Sequence, residues 1–263
     1  MATRTLEHEI AYIAARINSE APNGTSSVGT GFFYRAPLND GMNRSITLLI
    51  SNKHVFGNSK GRLIVSLNRR KEDNTPEFGN IVTFDQVGFE DGYFAHPNPE
   101  IDLACLNVSG IARVGAFYKY LNDTLLKPID YDKVAPGSDV IFVGYPENRY
   151  DVINNLPLIR KGSIASMPNV DFNGKGQVVI DAQIFPGSSG SPVFVAWDNW
   201  YSLLGVVSQA MIRHSQLQTL PANMLPVGVK QMLGLGIVIK QKHIRELIDY
   251  TVNEFIGKTS PSS

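Results

Sequence analysis

At 263 residues, 43% of them hydrophobic and 10% aromatic, the chain is long enough to bury a core in one or two domains. Lys+Arg 24 balances Asp+Glu 24, so no overall field draws nucleic acid or an anionic membrane. The single cysteine excludes a disulfide framework within the chain.

Leu6, Ile10, Ile13 and Ile17 recur at spacings of three and four, which predicts a helix over 5–18, stopped by Pro22 and Gly24. Residues 1–24 thus read as a helical extension. The stretch carries Arg4, Glu7, Glu9 and Arg16 and no apolar run of signal-peptide length. No segment approaches the roughly 20 apolar residues of a membrane span. With one cysteine, the expectation is a soluble, cytoplasmic protein with neither membrane nor nucleic-acid partners.

From residue 25 the character changes. Short β-rich runs lie at 31–34, 46–51, 63–67, 81–84, 103–108, 140–143, 162–166, 178–184, 193–196, 203–207 and 236–239. Gly, Pro, Asn and Asp clusters separate them, the spacing of antiparallel sandwiches or barrels and not of βαβ units. Arg69-Arg70-Lys71 is followed at once by Glu72-Asp73 and reads as a solvated hairpin tip. Residues 209–233 carry Met211, Leu217, Leu220, Met224, Leu225, Val227 and Met232. A small helical excursion packed on the β core is expected there, with a substrate-covering loop or protein-partner surface as the alternative. Ile244, Leu247, Ile248 and Val252 share one face and predict a C-terminal helix over 241–256, with 257–263 as a disordered tail.

Three polar residues stand out against this β pattern. Gly187-Ser188-Ser189-Gly190-Ser191-Pro192 separates two β-branched runs. A small-residue turn of this kind can expose one hydroxyl and aim backbone N–H groups at one point, as acyl transfer requires. Of the five histidines, only His54 directly follows a β-rich run, where the scaffold holds a base in place. His8 reads as a solvated helix position; His96 lies in a polar loop, His214 in the 209–233 excursion, and His243 at the start of the last helix. Asp102 sits where a Pro-rich loop enters an apolar strand, and could orient an imidazole or simply cap the strand. Cys105 lies inside that strand and reads as a small buried hydrophobe. No residues show metal-ligand spacing, and Gly29-Thr30-Gly31 lacks the helix of a phosphate loop, so neither metal nor cofactor is expected.

The words around these residues resemble a known family. Thr30-Gly31-Phe32-Phe33, Ile50-Ser51-Asn52-Lys53-His54-Val55, Asp102-Leu103-Ala104 and Gly187–Pro192 together look like the trypsin-like (chymotrypsin-fold) serine peptidases. The stretch Ala135–Pro146 is similar to the opening of that family's second barrel, especially in bacterial, disulfide-free members. The strands at 204–208 and 234–239 resemble those walling its specificity pocket.

The resemblance implies an all-β protein of two packed six-stranded antiparallel Greek-key β-barrels, 25–125 and 126–240. It makes Ser189 the nucleophile, His54 the general base and Asp102 the residue orienting it. The N–H groups of Gly187 and Ser189 would form the oxyanion hole, and the substrate would be a polypeptide. Gln183 would lie at the base of the specificity pocket, with Ser208, Ala210 and Gly236 on its walls, favouring an uncharged or moderately polar side chain. Ser188 replaces an aspartate that many relatives pair with a new N-terminus, so activity without N-terminal trimming is expected. Ser191 stands where glycine is commoner; both serines are expected to serve the turn's own hydrogen bonding. The competing function is a non-catalytic binding or scaffold module on the same fold. The 209–233 excursion and the N-terminal helix are the surfaces left for a protein partner.

Overall fold

The computed structural model describes residues 6–38, 40–123, 125–197, 200–217 and 227–259. Helix α1 (Leu6–Ile13) passes straight into strand β1 (Ala14–Glu20). Strands β2 (Ser26–Pro37) and β3 (Ser45–Ser51), the one-turn helix α2 (Lys53–Phe56), and strands β4 (Arg62–Arg70), β5 (Pro76–Val87), β6 (Tyr93–Ala95) and β7 (Ala104–Asn107) complete the first half. They form a seven-stranded antiparallel sheet in the order β5-β4-β1-β2-β3-β7-β6. The second half holds β8 (Asp139–Gly144), β9 (Leu158–Ile164), β10 (Gln177–Asp181), β11 (Pro192–Trp197), β12 (Trp200–Leu217) and β13 (Val227–Lys240). These six close into a barrel, after which helix α3 (Gln241–Thr259) ends the described chain.

The fold is all-β, and the second barrel has the expected six strands; the first unit, expected as a six-stranded barrel, is instead a seven-stranded sheet with β5 and β6 at its two ends. Three expectations about individual segments need correction. The helix expected over 5–18 stops at Ile13. Ala14–Glu20 instead pairs with both β2 and β4 and supplies the seventh strand of the first sheet. Spacings of three and four do not separate the two states here, because Ile13, Ala15 and Ile17 also alternate as a strand requires, and two ladders outweigh one continued helical stripe. The described residues of the 209–233 segment are strand and form no helical excursion. β12 and β13 run together as a long hairpin from Gly205↔Lys240 to Leu217↔Val227. Residues 218–226, with Leu220, Met224 and Leu225, lie outside the described residues. Part of the expected disordered tail is helical, since α3 runs to Thr259; the remainder, 260–263, lies outside the described residues. The 69–73 segment is the exposed β4–β5 hairpin tip, closed by Lys71 N–H donating to Thr75 O (2.9 Å). Among the described residues no helix is long and apolar enough to cross a membrane.

Three apolar cores explain why several strands lack alternation. Phe33, Leu49, Phe56, Val65 and Leu106 fill the first unit. Val140, Phe142, Val178, Val193 and Val238 fill the barrel. A third core joins the two: Phe32, Leu48 and Ile50 from the first sheet meet Ile141, Val143, Phe194 and Val206 on the outside of the barrel. Ile10 and Ile13 of α1 and Ile244, Leu247 and Ile248 of α3 close it. Successive strand residues point to opposite faces. β3 is therefore apolar throughout its centre because Leu49 faces one core and Leu48 and Ile50 the other. Each such side chain contributes about 1.5–3 kcal/mol on burial, against about 0–1 kcal/mol for an exposed ion pair. The shared core, not surface charge, fixes the two units against each other and so fixes the groove between them.

One ion pair is an exception to that ranking. Lys240, at the end of β13, is 4% exposed and donates to Asp171 Oδ1 (2.7 Å) and Val170 O (3.2 Å); Lys242 donates to Asp171 Oδ2 (2.8 Å). The hydrogen bond from Lys240, then that from Lys242, holds the Asp171 carboxyl below its usual range. The pair therefore stabilises fully above the ordinary carboxylate value and loses that contribution as pH falls through the depressed one. Asp171→Asn is expected to cost roughly 1–3 kcal/mol near neutral pH, since it leaves a buried ammonium without its counter-charge. Denaturant unfolding should show this deficit near neutrality and a smaller one below about pH 4.

Candidate active site

The turn between β10 and β11 is forced by close approach. Gly187 has φ +88° and Gly190 φ +85°, a conformation that favours glycine. A Cβ on Gly187 would meet Tyr145 O at 2.4 Å, and one on Gly190 would meet Thr30 O at 1.8 Å. Thr30 of β2 clamps the turn from the first unit. Its N–H donates to Ser189 O (2.9 Å) and its Oγ1 to Gly187 O (2.8 Å), while Oγ1 accepts from Tyr145 N–H (3.2 Å). Ser51 Oγ in turn donates to Thr30 O (2.6 Å). From the barrel side, Gly190 N–H donates to Val207 O (2.8 Å).

Within 187–191, the N–H groups of Ser188, Gly190 and Ser191 are spent on Phe185 O, Val207 O and Ser188 O. Those of Gly187 and Ser189 have no acceptor among the described residues. Ser189 Oγ–H donates to Ser208 O (3.0 Å), and no hydrogen bond joins it to His54. The hydroxyls of Ser188 and Ser191 are buried without partners among the described residues, so they do not supply the turn's internal hydrogen bonding expected of them. The backbone does this instead, through Ser191 N–H to Ser188 O (3.1 Å).

His54 stands on α2, which follows β3 directly. Its Nδ1 lies 2.6 Å from Asp102 Oδ2, and its backbone N–H donates to Asp102 Oδ1 (3.2 Å). A carboxylate facing Nδ1 keeps the proton there and leaves Nε2 with its lone pair. Asp102 is itself held by its neighbours. Asn52 is fully buried, and its Nδ2 donates to Asp102 O (2.7 Å). Lys53 Nζ reaches Asn98 O and Pro99 O (both 3.2 Å), tying down the loop that leads into Asp102. Burial lowers the Lys53 ammonium pKa, opposed by the Asp102 charge.

His54, Asp102, Ser189, Ser208 and Ala210 line one cleft of about 420 Å³, together with Ile184, Phe185, Pro186, Gln209, Ile212 and Met232. Gln183 is exposed and stands outside this lining; its neighbour Ile184 takes the inward position. Gly236 lies beneath Ile184, where a Cβ would meet Ile184 Cγ1 at 2.3 Å. The sequence does not single out Thr30, Asn52, Ile184, Phe185, Ile212 and Met232 for these places. Thr30 and Asn52 do lie inside the words that carry the resemblance, but nothing in a single chain separates a clamp from a strand residue.

Two other groups bear on chemistry. Ligand atoms of His96, His243 and Glu246 lie within 4.8 Å of one another, a spacing a metal ion could use. However, Asn98 N–H donates to His96 Nδ1 (3.1 Å), which puts the proton of a neutral ring on Nε2, 3.2 Å from Glu246 Oε2. Burial lowers the His96 pKa and favours that neutral ring. His243 Nδ1 adds a bond to Glu246 Oε2 (2.7 Å). With both His96 nitrogens engaged, the trio acts as a clasp between the β6 end and α3. Cys105 is fully buried beside Thr251 Oγ1 (3.1 Å), and burial pushes its thiol up to about 12, so it is no nucleophile.

A family model described as a trypsin-like peptidase domain matches residues 29–200. The chain belongs to this family. Solved structures with similar folds include the HtrA-type protease AlgW with a tripeptide, at 17% identity and a TM-score of 0.54, covering 95% of this chain and 63% of that one. A thermostable serine protease AL20 from an extremophilic microorganism shares 11% identity at a TM-score of 0.51, over 92% of this chain and 98% of that one. Deg5 shares 17% identity at a TM-score of 0.50, over 78% and 82%. At these identities the likeness is one of fold. This trypsin-like domain spans less than two thirds of the AlgW chain, and no curated protein matches it by sequence.

Proposed function

We propose that the protein is a serine endopeptidase acting through an acyl-enzyme on Ser189. The supporting observation is the 2.6 Å His54–Asp102 contact at the cleft that Ser189 also lines. Ser189 Oγ attacks the scissile carbonyl as its proton passes to His54 Nε2, and the oxyanion is met by the N–H groups of Gly187 and Ser189. The imidazolium, held by Asp102, gives that proton to the leaving amine, and the C–N bond breaks. Water then repeats the sequence on the acyl-enzyme: His54 takes its proton, the acid leaves, and Oγ regains a hydrogen.

In the resting arrangement the Ser189 hydroxyl rests on Ser208 O, the observation that favours a non-catalytic module on this fold. A rotation about χ1 redirects the hydroxyl, and hydrogen bonds of this class commonly tighten only with substrate bound. The buried Ser188, in place of an acidic partner for a new N-terminus, supports activity in the untrimmed chain.

The apolar cleft lining supports a refined expectation for specificity. Ile184, Phe185, Ala210, Ile212 and Met232 offer no counter-charge, so a charged side chain entering among them loses hydration uncompensated. Cleavage profiling on a peptide library should show aliphatic over acidic or basic residues before the cut by at least about tenfold. A strong Lys, Arg or Glu preference would contradict this.

A further inference from the structure

The serine turn has a second support besides Thr30, and it comes from the segment between β8 and β9. Glu147 N–H donates to Pro186 O (2.5 Å), and Tyr145 O lies so close to Gly187 that a Cβ there would sit 2.4 Å from it. Pro186 O and Gly187 N–H belong to one peptide plane and, in the trans form, point to opposite sides. The bond from Glu147 therefore decides which way Gly187 N–H faces, and that N–H has no acceptor among the described residues. Glu147 (φ +48°) and Asn148 (φ +58°) are consecutive non-glycine residues in the left-handed region, an uncommon and costly arrangement. Backbone bonds hold part of it: Asn148 N–H donates to Tyr145 O (3.2 Å) and Arg149 N–H to Pro146 O (2.7 Å). A further hold crosses from the first unit, where Arg16 Nε donates to Asn148 Oδ1 (2.5 Å).

We infer that Arg16 is a positioning residue for this turn: its hold on Asn148 keeps Glu147 N–H on Pro186 O, and so keeps Gly187 N–H available to a reacting carbonyl. The inference rests on the serine-peptidase reading above. Arg16 does not line the cleft and acts only through the β8–β9 segment. It is the β1 residue paired with Thr30 on one side and Ser66 on the other, so two ladders fix its backbone whatever its side chain does. Its neighbours Ala15 and Ile17 are fully buried. The Arg16 guanidinium itself lies over the Tyr150 ring (5.2 Å), which packs edge-on against Tyr145 (5.5 Å). A guanidinium can donate in its plane while its face rests on an aromatic ring, so both ends of the Tyr145–Tyr150 segment are gripped at once. The carboxylate of Glu147 turns to Arg149 instead (3.5 Å). What Arg16 contributes is thus geometry at a neutral amide, not a neutralised charge.

The test compares a peptide aldehyde with the matching peptide alcohol, both built on a sequence the protein cleaves. Ser189 Oγ adds to the aldehyde carbon as its proton passes to His54, and the carbonyl oxygen becomes an oxyanion in the turn; the alcohol has no carbonyl to attack. Arg16→Ala is expected to weaken the aldehyde and to lower kcat by a matching factor of at least about tenfold. KM, affinity for the alcohol and denaturant unfolding should stay unchanged. Asn148→Ala should reproduce both losses, and the double variant should lose no more than either single one, because the two residues act through one contact. Undiminished aldehyde binding and turnover in Arg16→Ala would overturn the inference while leaving the peptidase reading intact. Equal losses for aldehyde and alcohol, or a fall in stability large enough to account for them, would make Arg16 merely structural and overturn it too. A parent protein that binds no aldehyde and cleaves no peptide would overturn the peptidase reading itself.

Discussion

His54→Ala is expected to lower kcat on a peptide substrate by about 10⁶-fold, the scale seen when one member of a catalytic triad is removed. The protein should keep its fold. The His54 side chain is 51% exposed and meets Asp102 over a cleft, whereas the buried residues of α2 are its neighbours Val55 and Phe56. On the proposed mechanism the expected loss is large because His54 has two jobs that nothing else nearby can do: accepting the serine proton and returning it to the leaving amine. Among the described residues of the cleft it is the sole imidazole. Circular dichroism and unfolding should match the parent protein while turnover disappears. Substantial residual activity in a folded variant would remove His54 from the mechanism.

Gly190→Ala is expected to behave differently, losing both stability and activity. An alanine at φ +85° costs about 1–2 kcal/mol from backbone sterics alone. The added Cβ would also sit 1.8 Å from Thr30 O, so the turn and β2 must separate. That separation breaks the bonds through which Thr30 places Gly187 and Ser189. Together these should destabilise the protein by about 3 kcal/mol or more. If Ser189 is the nucleophile, a displacement near 1 Å there should cut kcat by about 10²-fold even in the folded fraction. Gly137 is the internal control. Its φ is +83°, but a Cβ added there would meet nothing within 4 Å. Gly137→Ala should therefore show the backbone cost alone, about 1–2 kcal/mol, with unchanged turnover. Equal destabilisation by the two substitutions would mean that the Thr30 contact does not constrain the turn.

The difference between those glycines shows what a sequence can and cannot disclose. Gly187 and Gly190 are legible as a turn from small residues beside β-branched runs, whereas Ser189, His54 and Asp102 become legible as a set through the words that resemble the trypsin-like peptidases. Thr30 is not legible as the clamp, since its partners Gly187 and Ser189 lie more than 150 positions away. The same holds for Asn52, whose amide reaches Asp102 across 50 positions. Counting back from the serine places Gln183 in the pocket, yet the chain after Ile180 turns Ile184 inward and leaves Gln183 exposed. β1 escapes a sequence reading because its apolar residues fit both periods, and only the ladders on either side decide between them. The β12–β13 hairpin escapes it because residues 209–217 mix apolar and polar side chains without strict alternation. Their pairing is with β13.

If the site works as proposed, Ser189, and no other hydroxyl of the turn, becomes acylated with the help of His54. Intact-mass and peptide mass spectrometry after treatment with a fluorophosphonate ester tests this most directly. One phosphonyl group per chain is expected, located on Ser189, absent from Ser189→Ala and formed far more slowly on His54→Ala. A folded protein that takes up no label, or one labelled on Ser188 or Ser191 instead, would contradict it.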